Sequence, residues 1–103
     1  QIELRIMAHL SQDPVLLDAF RNEEDIHSKT ACLVFQVEPD ELNAEHRRRA
    51  KEINFGIMYG MGVYGLASRL NISNEEAREF IMSYFAQYGK VQDFIYKTPT
   101  VFT

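Results

Sequence analysis

The sequence predicts an all-α fold, a bundle of about six or seven short-to-medium helices. Apolar residues recur at helical spacing along most of the chain, cap residues precede those runs, and no segment alternates in the manner of a strand. With 103 residues, 46% of them hydrophobic and 25% charged, the chain suits one globular unit with a core of modest size.

The elements follow from their punctuation. Ile2, Ile6, Met7 and Leu10 keep helical spacing, so the chain opens with a helix ending near Ser11. Asp13-Pro14 is a cap followed by proline at the first helical position, and it starts a short helix through Val15, Leu16, Leu17, Ala19 and Phe20. Asp25 caps the next helix, whose apolar positions are Ile26, Cys32, Leu33 and Phe35, with His27 in the first turn. Val37-Glu38-Pro39-Asp40 breaks it, and Asp40 or Asn43 leads into a long helix. Gly60, Gly62 and Gly65 interrupt the periodicity, so a bend or a new helix begins around Met61–Val63 and closes with Ala67, Leu70 and Ile72. Ser73-Asn74-Glu75-Glu76 reads as a capping box ahead of Ala77, Phe80, Ile81, Tyr84 and Phe85. Gly89 is expected to stop that helix, with one or two further turns at Val91, Phe94 and Ile95 and a frayed tail over residues 98–103.

Composition narrows the function. A net charge of −4 argues against a wholly basic protein that coats nucleic acid. The charge is uneven, however: Arg47, Arg48, Arg49 and Lys51 crowd together, while acids gather at Glu23, Glu24 and Asp25 and at Glu75, Glu76 and Glu79. The one cysteine, Cys32, excludes an internal disulfide and reads as an inert buried thiol. No apolar run is long enough for a membrane span, and the start at Gln1, without Met, reads as a cut inside a larger protein.

The long helix has two working faces. Ala50, Ile53, Ile57 and Met61 form a narrow stripe for a core, whereas Arg47, Lys51, Phe55 and Tyr59 recur every four residues on another side. The second face is cationic first and aromatic last. Cations near a helix start oppose the macrodipole, so a cluster placed there is better explained by an anion that it meets; Glu45 and Glu52 offset only part of it. Phosphate near the cations, with base or sugar against the aromatics, would use that order, and an amphipathic helix with basic first turns is the plainer alternative.

Other patterns are weaker. Gly60-Met61-Gly62-Val63-Tyr64-Gly65 matches the dinucleotide-binding glycine pattern, but that mechanism needs a strand before the glycines and here a helix precedes. His9, His27 and His46 lack metal-ligand spacing, so no metal site is expected from them. His27, in a helix's first turn, could face an anion or simply lie at the surface. Glu3 stands between Ile2 and Leu4 on an apolar helix, and Arg48 and Arg49 read as solvated or as backbone-phosphate contacts.

At these residues the sequence resembles the family A DNA polymerases, the bacterial DNA polymerase I type. Gln1-Ile2-Glu3-Leu4-Arg5-Ile6-Met7-Ala8-His9-Leu10-Ser11 resembles the latter part of the family's motif A. The spaced set Arg47, Lys51, Phe55, Tyr59-Gly60 resembles motif B, on the helix that closes over the incoming nucleotide. Asp25-Ile26-His27 and Gly60-Met61-Gly62-Val63-Tyr64-Gly65-Leu66-Ala67 follow the family too. The resemblance covers residues 1–97, implying a fragment of the fingers subdomain there, and leaves 98–103 unmatched.

The resemblance implies a DNA-directed DNA polymerase in replication or repair, working on deoxynucleoside triphosphates and primer–template DNA together with palm and thumb. It implies that Arg47 and Lys51 hold the triphosphate, that Lys51 also protonates the leaving pyrophosphate, and that His27 adds a phosphate contact. Phe55 would pack on sugar and base, and phenylalanine rather than tyrosine there implies discrimination against dideoxynucleotides. Glu3, with Tyr59 as its partner, would be the gate that excludes a 2′-hydroxyl. Tyr59, Gly60 and Tyr64 would lie along the path of the templating base, and Gln1 near the nucleotide or primer terminus. Two Mg2+ ions are implied, with ligands outside this stretch: the motif A aspartate before Gln1 and motif C beyond Thr103. The chain alone is therefore expected to be inactive. The implied location is the bacterial cytoplasm, at the nucleoid or in a phage's host. The alternative is a helical module that binds nucleotide or nucleic acid without chemistry, distinguished by the absence of those flanking acids.

Overall fold

Four helices begin at a capping side chain that the sequence offers. Asp13 accepts from the N–H groups of Val15 and Leu16, Asp25 from those of His27 and Ser28, Asn43 from His46, and Ser73 from Glu76. These caps set the boundaries in the structure, a computed structural model that describes residues 2–97. The helices are α1 (Ile2–Ser11), α2 (Pro14–Arg21), α3 (Ile26–Phe35), α4 (Ala44–Met58), α5 (Val63–Leu70), α6 (Asn74–Gln87) and α7 (Gly89–Lys97), with a 3-10 turn at Pro39–Glu41. Seven α-helices and no strand among the described residues make the fold all-α. Gln1 and the tail at 98–103 lie outside the described residues.

Three details differ from the sequence reading. Gly89 does not stop α6; Tyr88 is that helix's C-cap and Gly89 is the first residue of α7. Tyr88 is wholly buried, so it turns the chain by packing rather than by backbone freedom. Met61 lies beyond the end of α4 and is half-buried, so the core stripe of that helix comes down to Ala50, Ile53 and Ile57. Cys32 is half-buried rather than buried, and partial burial still pushes its thiol pKa up.

Gly60 does require glycine, with φ of 74° in the left-handed region that closes the α4–α5 turn. Gly65 requires space instead: a Cβ there would stand 2.5 Å from Met61 Cγ. Gly65→Ala should therefore destabilise the chain by about 1–2 kcal/mol, because overpacking outweighs the helix propensity gained. A urea midpoint that rises instead would mean the turn has room to give.

The core gathers Leu4, Leu16, Ile26, Ile53, Leu66, Tyr84 and Val91 among others, drawing on all seven helices. α3 and α4 form the most extensive helix pair, and α4 also touches α1, α5 and α6. That central place holds the Arg47–Tyr59 side of α4 against α3 at one end and α1 at the other. Ile2, Ile6 and Leu10 leave an exposed apolar row on the outer side of α1, while Phe94 is half-buried against the core. No helix among the described residues is long and apolar enough to cross a membrane.

Candidate nucleotide-binding site

The four-residue spacing on α4 does produce a continuous face, and α3 and α1 each add one member to it. The Phe55 ring lies 5.6 Å from the His27 ring and 6.1 Å from the Tyr59 ring, the latter pair stacked at 21°. At the far end Tyr59 Oη donates to Glu3 Oε2 at 3.1 Å. His27, Phe55, Tyr59 and Glu3 thus form one row, drawn from three helices. The Tyr59 hydrogen bond, after the residue's own backbone N–H, lowers the Glu3 carboxyl pKa, and the same bond raises the Tyr59 phenol pKa. Glu3, Phe55 and Tyr59 also line an open cleft of about 220 Å³ with Glu52, Gly56, Met61 and Arg69.

The cations at the other end are mostly spoken for. Arg47 reaches across to the α3 cap, Nε to Asp25 Oδ2 at 2.8 Å and Nη2 to Oδ1 at 3.3 Å. Burial works to raise the Asp25 carboxyl, but Arg47 and the two capping N–H groups outweigh it and hold its pKa low. Arg48 and Arg49 both bond to Glu45, which brings that carboxyl down to about 2. Glu45 sits in the first turn of α4, where an acid suits the macrodipole, so both arginines are engaged within their own helix while one net positive charge remains. Glu45 is thus a partial offset, as expected, and Arg48 remains about half exposed beside it. Exposed Lys51 makes no ion pair among the described residues.

His27 is more deeply set than a surface cap. It is 2% exposed, and Asn54 Nδ2 donates to its Nδ1 at 2.9 Å. Burial, with Arg47 and Lys51 adding to it and Asp25 opposing, pushes the ring's pKa below its ordinary value. Asn54 in turn accepts from Thr30 Oγ1, which pairs with Tyr88 Oη. Sequence reasoning did not single out Asn54, Thr30 or Tyr88, nor Asp25 as the partner of Arg47. Asn54 carried a signal: it is polar, yet it falls beside Ala50 and Ile57 on the core side of α4.

Tyr59, Gly60 and Tyr64 lie at the α4–α5 turn, with both tyrosine rings exposed. Gln1 lies outside the described residues. Among the described residues no three His, Cys, Asp or Glu side chains gather to hold a metal ion. The dinucleotide reading fails on the fold, because α4 rather than a strand precedes Gly60.

The sequence profile of DNA polymerase family A matches residues 1–102. The chain is 52% identical to DNA polymerase I of Bacillus caldotenax over 95 residues, 92% of this chain and 11% of that protein. It is 54% identical to DNA polymerase I of Borreliella burgdorferi, again over 95 residues and 92% of this chain, with 10% of that protein covered. A solved structure, the POL domain of Pol1 from M. smegmatis in complex with DNA primer-template and dNTP, superposes with a TM-score of 0.87 at 47% identity. That likeness covers 94% of this chain and 17% of the solved one. The chain therefore spans about a tenth of the length of these curated relatives. On a match along nearly its whole length, and with an all-α fold that agrees, the chain belongs to DNA polymerase family A.

Proposed function

We propose that this chain is the nucleotide-gripping, fingers-type part of a DNA-directed DNA polymerase. It binds the incoming deoxynucleoside triphosphate beside primer–template DNA, packed against palm and thumb, in the cytoplasm of a bacterium or of a phage's host. The observation that carries the reading is the order along one face: exposed Lys51, without an ion pair among the described residues, then the His27, Phe55 and Tyr59 rings in series, then Glu3. The complex of the M. smegmatis relative with DNA and dNTP supports the same ligands.

Phosphoryl transfer asks little covalent chemistry of protein; it needs positioned charge. Lys51 and Arg47 grip the triphosphate. A guanidinium has five N–H donors, so the two that Arg47 gives to Asp25 leave others for phosphate. As the primer 3′-hydroxyl gives up its proton to solvent and its oxygen bonds to the α-phosphorus, the bond from that phosphorus to pyrophosphate breaks; Lys51 gives a proton to the departing pyrophosphate, and His27 donates to a phosphate oxygen. Phe55 packs on sugar and base and weighs against dideoxynucleotides, while Tyr59, Gly60 and Tyr64 guide the templating base. Divalent metal ions, Mg2+ by their chemistry with phosphate, supply charge neutralisation at the reacting phosphate when bound. Their ligands come from outside the described residues.

Glu3, fixed by Tyr59, stands where a 2′-hydroxyl would arrive. Glu3→Ala should raise ribonucleotide incorporation by about 10–100-fold relative to deoxynucleotide, with deoxynucleotide incorporation little changed. Single-nucleotide extension of a primer by the full-length protein measures this. Undiminished rejection of ribonucleotides would remove Glu3 from the gate, and tight triphosphate binding without any extension would point to a binding module instead.

A further inference from the structure

A buried row of hydrogen bonds runs from the far side of the bundle to the ring of His27. Tyr88 Oη lies 2.9 Å from Thr30 Oγ1, Thr30 Oγ1 lies 3.0 Å from Asn54 Oδ1, and Asn54 Nδ2 lies 2.9 Å from His27 Nδ1. All four residues are at most 2% exposed. They come from α3, from α4 and from the C-cap of α6, so the row ties three elements together.

Such a row has two self-consistent polarities. In one, Tyr88 donates to Thr30, Thr30 to the Asn54 carbonyl, and the Asn54 amide to His27 Nδ1. In the other, the Asn54 amide is turned over, His27 Nδ1–H donates into it, and every later bond reverses. Tyr88 decides between them. Burial raises its phenol pKa to about 12, so the hydroxyl keeps its hydrogen. Thr30 Oγ1 is that hydroxyl's hydrogen-bonding partner. In the reversed polarity the buried phenol hydrogen would have no acceptor within hydrogen-bond distance among the described residues, which is the costly arrangement. The forward polarity leaves only a lone pair of Tyr88 unused.

Forward polarity delivers a hydrogen to Nδ1, so the neutral ring must carry its own proton on Nε2. No buried side-chain nitrogen or oxygen among the described residues lacks a hydrogen-bond partner. Nε2 has no partner among the described residues, so that atom keeps some exposure to solvent. Arg47 and Lys51, the cations felt by this ring, disfavour a second proton on it, and the capping carboxylate of Asp25 opposes them.

We propose that Tyr88, acting through Thr30 and Asn54, locks His27 in its neutral Nε2–H tautomer, so that the ring offers a fixed donor to a nucleotide phosphate. The three are positioning residues. The other tautomer would turn a lone pair toward the anion and repel it. This inference rests on the nucleotide-binding reading given above, and the test separates the two.

The test is histidine-selective 15N NMR of the full-length protein, with His27 assigned by loss of its signals in His27→Ala. Alongside it, affinity is measured for inorganic tripolyphosphate and for a deoxynucleoside triphosphate. The unmodified protein should show a protonated Nε2 and an unprotonated Nδ1 at neutral pH. Tyr88→Phe keeps the ring in the core but frees the polarity, so the two tautomers should mix and both affinities should weaken about two- to fivefold. Asn54→Asp accepts rather than donates, so Nδ1 should gain a proton. A neutral Nδ1–H ring in the unmodified protein overturns the proposal without recourse to any variant. So does an unmixed tautomer in Tyr88→Phe. Unchanged affinity in His27→Ala, with the Nε2–H tautomer intact, would instead sink the phosphate role of His27 and leave the relay standing as a structural lock without a ligand.

Discussion

Replacing Asp13 with alanine should cost the fold about 2–4 kcal/mol, a large share of the stability of a domain this small. The residue is 1% exposed and is shared by two helices. Its Oδ1 accepts from the N–H groups of Val15 and Leu16, each at 3.0 Å, and so caps α2. Its Oδ2 accepts from the N–H of Lys90 at 2.9 Å, in the first turn of α7. One carboxylate therefore satisfies orphan donors at two helix starts, and both starts gain from a negative charge there. Losing the cap costs one part; leaving the Lys90 N–H without an acceptor in a part-buried setting costs another. Asp13→Asn separates them, because an amide still caps α2 with its oxygen but turns N–H groups toward Lys90. Urea unfolding should place the asparagine variant between the native protein and alanine, with amide exchange faster at α7 than at α2. Equal protection of both helices would show that α7 does not depend on this bond.

That bond also marks what a sequence can disclose. Asp13-Pro14 was readable as a helix start because a cap acts on N–H groups two and three residues ahead. Ser73 and Asp25 were readable for the same reason, and Asn43 was one of two candidates beside Asp40. The reach of Asp13 to Lys90, 77 residues away, was not. Without it Gly89 looked like a stop, since glycine serves equally after one helix and before another. The site divides along the same line. Spacing alone put Arg47, Lys51, Phe55 and Tyr59 on one face, and the resemblance to the polymerase family brought His27 and Glu3 to it. The pairings that tune the face are non-local. Asp25 holds Arg47 across 22 positions, and Asn54 meets His27 across 27. A polar residue on a core stripe was the visible trace of the second, but its partner depends on how α3 lies on α4. Only the folded chain supplies that.

Lys51→Ala should slow nucleotide incorporation about a hundred- to a thousandfold, while primer–template affinity stays within about twofold. Lys51 stands apart from the neighbouring cations in its freedom. Arg47 is held by Asp25, and Arg48 and Arg49 share Glu45, whereas Lys51 makes no ion pair among the described residues. A compact ammonium without a partner can follow charge as it builds on the departing phosphate, and it can surrender a proton there. Lys51→Arg then distinguishes the two contributions. A guanidinium keeps the charge but holds its proton, so it should restore part of the rate and leave the deficit that belongs to proton transfer. Under single-turnover conditions with saturating nucleotide, a slow alanine variant with normal DNA binding supports an effect on the transition state rather than on complex formation. An unchanged rate would remove Lys51 from the chemistry. A rate fully restored by arginine would keep the charge and discard the proton. Loss of DNA binding in step with the rate would move Lys51 from the nucleotide to the primer–template, and the face would then read as a nucleic-acid contact with the same residues.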